Sequence, residues 1–203
     1  MKKEEKTKIT KAKIFDAAIE EFGANGYATG SLNNICKSGI NKGLIYHNYK
    51  DKDELYLECV KKSCNDLLCY VQSHQAKDGF VAYMNARSAF FLEHKLEAYI
   101  FLEARTNPPQ QLINQIQELL RPVDDLNRRI FEKELFQYEL REGVSKDDAI
   151  SYFYEIQKIY NHYFTKQLSD KMTMHEQLDM HEMNIHKILD LILYGIAKGE
   201  KEV

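Results

Sequence analysis

The stretch Gly43-Leu-Ile-Tyr-His-Asn-Tyr-Lys-Asp-Lys-Asp-Glu-Leu-Tyr56 decides the fold, because it joins the end of a short helix to the start of a longer one. Asn41, just upstream, is suited to cap a helix running through Tyr49, since its side-chain oxygen can accept a free backbone N–H. Asp51 and Glu54 have the spacing of a capping box that opens the next helix. The sequence therefore predicts two consecutive helices here.

Two further short helices are predicted upstream of this stretch. Apolar residues recur at helical spacing over residues 10–25, and Gly26 supplies a stop. A very short helix over residues 31–38 follows, and Gly39 ends it. Three short helices with a glycine-containing turn between the second and third are typical of a helix-turn-helix.

The charge of the chain is unevenly distributed. Residues 1–62 carry 12 Lys and Arg against 9 Asp and Glu, a net of +3, whereas residues 63–203 carry 16 against 22, a net of −6. This asymmetry predicts that the N-terminal part meets a polyanion, and the alternative is a chance clustering of solvated lysines.

The composition of the 203 residues, 44% hydrophobic and 29% charged, is that of a globular protein. No apolar run reaches the roughly 18 residues that a membrane span needs, and the charged first residues are not followed by an apolar region typical of a secretion signal. The four cysteines show no Cys-x-x-Cys spacing. We therefore expect a cytoplasmic protein with reduced thiols and no membrane partner.

Beyond the helix that Asp51 opens, only long helices are predicted, and no segment has the period of a strand. Three prolines and nine glycines are few for a strand-and-turn fold. The Ser145–Asp148 pair has the spacing of a further capping box. The predicted helices cover residues 79–94, 96–106, 110–141 with a bend at Pro122, 145 to about 164, and 175–199. The fold class is therefore all-α.

The segment Ile14-Phe-Asp-Ala-Ala-Ile-Glu-Glu-Phe-Gly-Ala-Asn-Gly-Tyr27, followed by the opening stretch, resembles the TetR family of repressors. The resemblance covers about residues 8–62. It implies a helix-turn-helix DNA-binding domain over residues 1–50 and a helical ligand-binding and dimerisation domain over residues 51–203. It further implies a homodimer that binds a palindromic double-stranded DNA operator and responds to a small-molecule effector.

The resemblance also implies which residues meet DNA. The third helix would enter the major groove, with Lys42, Gly43 and Leu44 facing bases and with Tyr46 and His47 on its DNA side. Lysines can neutralise phosphates, and Tyr and His can donate hydrogen bonds to phosphates or base edges. The expected DNA-binding residues are Ser31, Lys42, Gly43, Leu44, Tyr46, His47 and Lys52, whereas Tyr49 is expected to pack in the core and Asn48 to be solvated or to add a base contact.

The second helix departs from the family pattern in two places. Gly30 stands where Thr or Ser usually caps this helix, with Ser31 one residue later, and the chain between Ile35 and Gly39 is one residue shorter than usual. The second helix is therefore expected to end early or to tighten into a 3₁₀ turn. Phosphate contacts from Ser31, Asn33 and Lys37 depend on this geometry.

Candidate ligand-binding and interface residues are read from the later helices. The ligand candidates are Arg87, Phe91, Arg105 and Tyr160, because guanidinium groups on apolar faces can bind a ligand carboxylate or phosphate. The alternative is that each arginine pairs with a neighbour such as Glu97 or Glu103, or with a helix C-terminus. Tyr152 and Tyr163 are interpreted as packing residues.

The apolar stripes of the last two helices predict a four-helix dimer interface, with packing inside one chain as the alternative. The predicted interface residues are Phe153, Tyr160, Phe164, Ile185, Leu189, Ile192 and Ile196.

The Met- and His-rich segment 172–186 suggests a second chemistry. His175, Asp179, Glu182 and His186 fall at offsets of 0, 4, 7 and 11, which places them on one helical face suited to a divalent ion. The alternative is the ordinary polar stripe of an amphipathic helix, and no metal is assigned. His181, near the edge of the apolar stripe, is interpreted as a hydrogen-bonded interface histidine.

These patterns predict a DNA-binding regulator, most simply a repressor released from its operator by an effector. No Gly-rich phosphate loop, Gly-x-Ser-x-Gly or His-Glu-x-x-His motif occurs, so we expect neither an enzyme nor a cofactor. The rival hypotheses are a metal-responsive sensor that uses the Met- and His-rich segment and an interaction protein with a degenerate helix-turn-helix.

Overall fold

A computed structural model describes residues 3–74, 79–167 and 172–196. Within these ranges the chain is helical and contains no extended strand, so the all-α prediction is confirmed. A 3₁₀ turn over residues 110–112 precedes the seventh helix. The α-helices are α1 (Lys3–Thr29), α2 (Leu32–Cys36), α3 (Lys42–Asn48), α4 (Lys52–His74), α5 (Gly79–Glu93), α6 (Lys95–Thr106), α7 (Ile113–Leu135), α8 (Lys146–Gln167) and α9 (Met174–Ile196).

The predicted caps form at the starts of α3 and α4. The Asn41 Oδ1 accepts the backbone N–H of Gly43 at 2.8 Å. The Asp51 Oδ1 accepts the backbone N–H of Glu54 at 2.9 Å. Both bonds satisfy N–H groups that have no partner inside the helix, which is why the two helices begin where the sequence predicts.

The end of α7 corrects one prediction. This helix stops at Leu135, and the turn that follows occupies part of the expected 110–141 helix. The Ser145 Oγ then accepts the Asp148 N–H at 3.1 Å, and the Asp148 carboxylate accepts the Ser145 N–H at 3.2 Å. This reciprocal capping box opens α8 as predicted. Residues 197–199 of the last predicted helix lie outside the described residues.

The joint between α1 and α2 is built on two glycines. Gly26 has φ +70°, which breaks the helical path of α1 where a stop was predicted, and one further turn reaches Thr29. A Cβ at Gly30 would lie 2.6 Å from the Gly26 carbonyl oxygen and 2.9 Å from Cδ1 of Phe22. Glycine at position 30 is therefore required by the close approach of backbone and ring, not by a cap.

The second helix has the tightened geometry that the shortened sequence predicts. It covers five residues, and its N-cap is Ser31, whose Oγ accepts the Asn34 N–H at 3.1 Å. Beyond Cys36, three successive i→i+3 hydrogen bonds continue the chain to Gly39 as a 3₁₀-type turn. Gly39 then turns the chain with φ +84°.

The chain divides into two compact units. Unit 1 comprises residues 1–68 and 90–120, and unit 2 comprises residues 69–89 and 121–203. In unit 1, α1 packs against α6, and the core includes the fully buried Phe22 and Tyr56, whose rings meet edge to face. In unit 2, the rings of Phe131 and Phe153 stack 3.9 Å apart. The predicted division of roles at residue 50 stays a prediction.

Among the described residues, no helix combines the length and the apolar character that crossing a bilayer requires.

The Gly30 contact generates a stability prediction. Gly30→Ala should lower the free energy of unfolding by about 1–3 kcal/mol, because the new methyl group collides with a backbone oxygen that cannot move aside. Urea unfolding followed by circular dichroism measures the change, with Ala28→Ser at a nearby exposed position as the control. Equal stability of the Gly30→Ala variant and the control would contradict the close approach.

Candidate nucleic-acid interface

The outer surface of α3 combines polar, aromatic and aliphatic side chains. Tyr46 is 52% exposed and Leu44 is 45% exposed, and His47 is also exposed. On the opposite side, Ile45 is fully buried and Tyr49 is 3% exposed, so these two residues anchor the helix in unit 1. The packing role predicted for Tyr49 is confirmed, and burial raises its pKa to about 12. The residues expected on the DNA side all lie at the surface.

The polar residues at the two ends of α3 have defined partners. At the start, the Lys42 Nζ donates to Oδ1 of Asn33 on α2 at 2.9 Å. At the end, the Asn48 Nδ2 donates to the backbone carbonyl of Leu44 at 2.8 Å. The Asn48 amide is therefore hydrogen-bonded back to its own helix.

Lys52 is placed less freely than the prediction of a phosphate contact assumed. Its ammonium nitrogen lies 4.2 Å from the centroid of the Tyr27 ring, in a cation–π contact. Burial lowers its pKa, and the negative charges of Asp53 and Glu103 oppose that change. Lys52 therefore packs against the Tyr27 ring, and its contact with a DNA phosphate stays a prediction.

The N-terminus of α2 is held from α1. The Glu21 Oε1 accepts the backbone N–H of Ser31 at 3.0 Å and the side-chain amide of Asn34 at 2.8 Å. Since the Ser31 Oγ caps the helix, both polar groups of Ser31 are engaged inside the domain. A phosphate contact from Ser31 would therefore have to use its hydroxyl group as a donor.

A buried carboxylate supports the joint behind this surface. Glu103 on α6 accepts the backbone N–H of Tyr27 through both oxygens, at 2.8 and 3.0 Å, and its Oε2 accepts the Tyr56 hydroxyl at 2.8 Å. The break at Gly26 removes Tyr27 from the regular helix, and the carboxylate supplies the acceptor. These three residues, Glu103, Tyr27 and Tyr56, form what we call the Glu103 cluster.

The electrostatics of the Glu103 cluster reflect its burial. Burial raises the pKa of Glu103, while the hydrogen bonds from Tyr56 and from the Tyr27 N–H, together with the charge of Lys52, oppose the rise. Burial also raises the pKa of Tyr56. The pKa of Tyr27 rises to about 12 through burial and through its hydrogen bond to Asp53. All three acids are therefore harder to ionise than in water.

Sequence reasoning did not single out Glu21 or Glu103 for these roles. Each is an acid on a helix with other acids nearby, and no spacing rule marks it. Gly26 and Gly30 mark the joint between α1 and α2 that these carboxylates support. These two glycines were the feature of the sequence that could have drawn attention to the joint.

The N-terminal region that contains α1, α2 and α3 is similar in sequence to known proteins. Residues 14–59 match the family model described as bacterial regulatory proteins, tetR family. Over these residues, the chain is similar to the TetR family. Over 59 residues it is 41% identical to the HTH-type transcriptional repressor SCO4008 of Streptomyces coelicolor, covering 29% of this chain and 31% of that relative. The chain thus spans about a third of the length of this relative.

Two further similarities extend beyond the TetR-family region. Over 147 residues the chain is 24% identical to IcaR of Staphylococcus epidermidis, a negative transcriptional regulator of the biofilm operon icaADBC, covering 70% of this chain and 76% of IcaR. The structure of the regulator FadR from Bacillus subtilis, in complex with stearoyl-CoA, matches with a TM-score of 0.61 at 18% identity. That match covers 91% of this chain and 98% of FadR, and it supports the fold.

Unit 2 contains a buried charge cluster that changes the interpretation of Arg87. The Arg87 Nε and Nη2 donate to the two carboxylate oxygens of Glu182 on α9 at 3.1 and 3.0 Å. The His181 Nδ1 lies 2.9 Å from Oε1 of the same carboxylate, and the three residues are at most 9% exposed. Arg87 thus has an internal carboxylate partner, as the alternative held, although that partner is Glu182.

The pKa values within this cluster favour an ion pair. Burial alone would raise the pKa of Glu182, but the charge of Arg87 and the hydrogen bonds from His181 and Arg87 lower it to about 2. Burial alone would lower the pKa of Arg87, and Glu182 raises it. Both residues are therefore charged near neutral pH. His181 is hydrogen-bonded, as predicted, and its interface role stays a prediction.

The other ligand candidates lie in different surroundings. Phe91 is 4% exposed, and its ring centroid lies 5.9 Å from that of Phe101 in unit 1. Arg105, half-buried, has its guanidinium carbon 5.6 Å from the centroid of the same Phe101 ring. Tyr160 in unit 2 donates its hydroxyl to the His181 carbonyl at 3.0 Å. Phe91 and Arg105 thus belong to unit 1, and Arg87 and Tyr160 belong to unit 2.

The predicted dimer-interface residues are largely occupied by packing inside one chain. Five of them are at most 7% exposed: Phe153, Tyr160, Phe164, Ile185 and Ile192. The side chains of Leu189 and Ile196 lie outside those described. A separate set of apolar residues on α8 and α9 is 58–71% exposed, which also corrects the packing role of Tyr152 and Tyr163: Tyr152, Ile159, Tyr163, Met183 and Leu191.

The metal hypothesis finds no support in the described residues. No group of three or more potential ligands occurs among them. Glu182 is buried and bound to Arg87, whereas Asp179 is exposed, so these two acids do not share a solvent-facing site. The side chains of His175 and His186 lie outside those described.

The Glu103 cluster generates the second prediction. Glu103→Ala should lower the free energy of unfolding by roughly 1–3 kcal/mol, because the Tyr27 N–H and the buried Tyr56 hydroxyl both lose their acceptor. Glu103→Gln should cost less, since the amide oxygen still accepts the Tyr27 N–H. Chemical denaturation at pH 7 measures both, with Glu97→Ala on the same helix as the control. Similar values for all three variants would contradict the cluster.

Proposed function

We propose that the chain is a homodimeric DNA-binding transcription regulator that acts as a repressor and leaves its operator when a small-molecule effector binds. One observation carries the DNA-binding part. The α3 surface presents Tyr46, His47 and Lys42 to solvent on a helix that buries Ile45, within the region that matches the TetR family. A solvent-facing helix with these donors suits the major groove.

The electrostatics of the region support a polyanionic partner. Between Ser31 and Lys50 the chain carries three lysines and no acid, although the whole chain has a net charge of −3. When lysines in this region neutralise DNA phosphates, counterions leave the phosphate backbone, and their release favours DNA binding. We expect Lys37, Lys42 and Lys50 to contribute to that term.

Exposed apolar residues of α8 and α9 support the proposed dimer. Tyr152, Ile159 and Tyr163 recur at spacings of seven and four along α8, which places them on one face. Met183 and Leu191 are exposed on α9. We propose that a second copy covers these side chains, and that the two α3 helices of the dimer bind half-sites about one helical turn, roughly 34 Å, apart.

Two similarities support the direction of regulation and the effector. SCO4008 is named a repressor and IcaR a negative regulator. FadR, which shares the fold, was solved with stearoyl-CoA. We propose that unit 2 holds the effector of this chain, with the Arg87–Glu182 pair as the polar element of its interior. The alternatives, a metal sensor and an interaction protein, have no comparable support.

The Glu103 cluster suggests how a change in the later helices reaches the α3 surface. Glu103 belongs to α6, yet it binds the joint before α2 and the Tyr56 hydroxyl of α4. A shift of α6 would have to break these bonds or carry their partners along. We propose that effector binding shifts the population of dimers toward a spacing of the two α3 helices that no longer fits the operator.

The experiment that tests DNA binding is a titration of the purified protein with the promoter region that flanks its own gene, at two salt concentrations. Tight, sequence-selective binding that weakens steeply with salt is expected. A folded, dimeric protein, free of co-purified ligand, that fails to bind at low salt would contradict the proposal.

The contact surface generates the third prediction. Tyr46→Ala should weaken binding to that promoter by about tenfold, because one hydrogen-bonding contact from the exposed ring is lost. Fluorescence anisotropy at fixed salt measures the dissociation constant. Tyr138→Ala, at a 41% exposed tyrosine after α7, is the matched control and should bind like the wild type. Equal affinity of the two variants would refute the contact.

The exposed stripe generates the fourth prediction. Ile159→Glu should convert the dimer to a monomer at micromolar concentration, because an unpaired carboxylate would be buried at the interface. Analytical ultracentrifugation measures the change. Val81→Glu on α5, where the side chain is 68% exposed, is the control and should remain dimeric. A dimer that survives Ile159→Glu would show that this stripe is not the interface.

A further inference from the structure

The short second helix brings one side chain of α2 into contact with the start of α3. Because α2 ends at Cys36 and the chain returns through a 3₁₀-type turn and Gly39, Lys42 lies beside Asn33. The Lys42 Nζ donates to the Asn33 Oδ1 at 2.9 Å, and both residues are exposed. The two helices of the helix-turn-helix are therefore linked by a polar pair at their surface.

The neighbours of Asn33 on α2 are directed into the protein. The Ser31 Oγ accepts the Asn34 N–H, and the side-chain amide of Asn34 donates to Glu21. Leu32 is half-buried. Asn33 thus differs from these three residues in presenting an amide to solvent next to the residue that begins α3.

The chemistry of the pair fixes the orientation of the amide. A lysine ammonium has three donors and no acceptor, so the atom that faces Lys42 must be the amide oxygen. The Asn33 Nδ2 is then the atom available for donating away from Lys42. The oxygen keeps a second lone pair, so the amide still offers one donor and one acceptor side by side. Its orientation is set before any ligand arrives.

This arrangement matches one base edge. Adenine presents the N7 acceptor and the N6 amino donor in the major groove, and asparagine pairs with both through its donor and acceptor. Lysine donors, in contrast, suit guanine or a phosphate. The positive charge of Lys42 also polarises the amide that it contacts, which strengthens the Nδ2 donor.

We propose that Asn33 and Lys42 form a composite base reader, in which Asn33 recognises an adenine in each operator half-site and Lys42 holds the amide in its reading orientation. The inference rests on the proposed function, because it assigns a specificity residue to the same DNA-binding surface. It moves Asn33 from a phosphate contact to a base contact.

The test is a selection of duplexes from a randomised DNA pool by the full-length protein, followed by sequencing of the bound fraction. The wild type should select a palindromic consensus. Asn33→Ala should select the same consensus with one change: the preference for an A·T pair at one position in each half-site falls by about tenfold or more. Lys42→Gln should weaken the preference at that same position and also reduce the salt dependence of binding.

Asn25→Ala is the matched control, because the Asn25 amide is also exposed and donates to Glu21 at 3.2 Å. This variant should keep the wild-type consensus. Thermal unfolding is measured for Asn33→Ala and the wild type. Equal unfolding temperatures verify that the exposed substitution leaves the fold intact.

Three results overturn the inference. Asn33→Ala could keep every base preference, could lose affinity equally at all positions, as a phosphate contact would, or could lose preference at a pair other than A·T. If the wild type selects no consensus at all, the proposed function fails, and the base reader fails with it. A wild-type consensus combined with any of the three results leaves the proposed function standing.

Discussion

The carboxylate of Glu103 is the interaction on which the joint between α1 and α2 depends. The chain must break α1 at Gly26 to reach α2, and a broken helix leaves a backbone N–H without an acceptor. Glu103 supplies that acceptor from a helix 76 residues further along the chain, and it binds the buried Tyr56 hydroxyl as well. One ionisable side chain thus joins the α1–α2 joint to α4 and α6.

Unit 2 also contains a buried carboxylate that joins two helices. The Glu182 carboxylate is buried and joins α9 to α5 through both nitrogens of the Arg87 fork. Buried ion pairs are weak contributors to stability compared with apolar packing, but the loss of one partner leaves an uncompensated charge. Each unit is therefore cross-linked by a buried carboxylate, and its removal would leave a hydrogen-bond donor or a charge without its partner.

Local signals in the sequence were sufficient for the helix starts, and pairing between distant helices was not accessible to them. Asn41 and Asp51 cap α3 and α4 as predicted, because capping involves residues within one turn of each other. Along α8, however, Phe153 is buried and its neighbour Tyr152 is exposed. Both are aromatic, so apolar character alone could not indicate which side packs inside the chain and which stays exposed.

The shortened second helix shows how a departure from a family pattern acquires physical meaning. In this chain α2 ends at Cys36, i→i+3 bonds continue to Gly39, and the start of α3 lies beside Asn33. The departure on which the phosphate contacts depend therefore coincides with a side-chain pair that links α2 to α3.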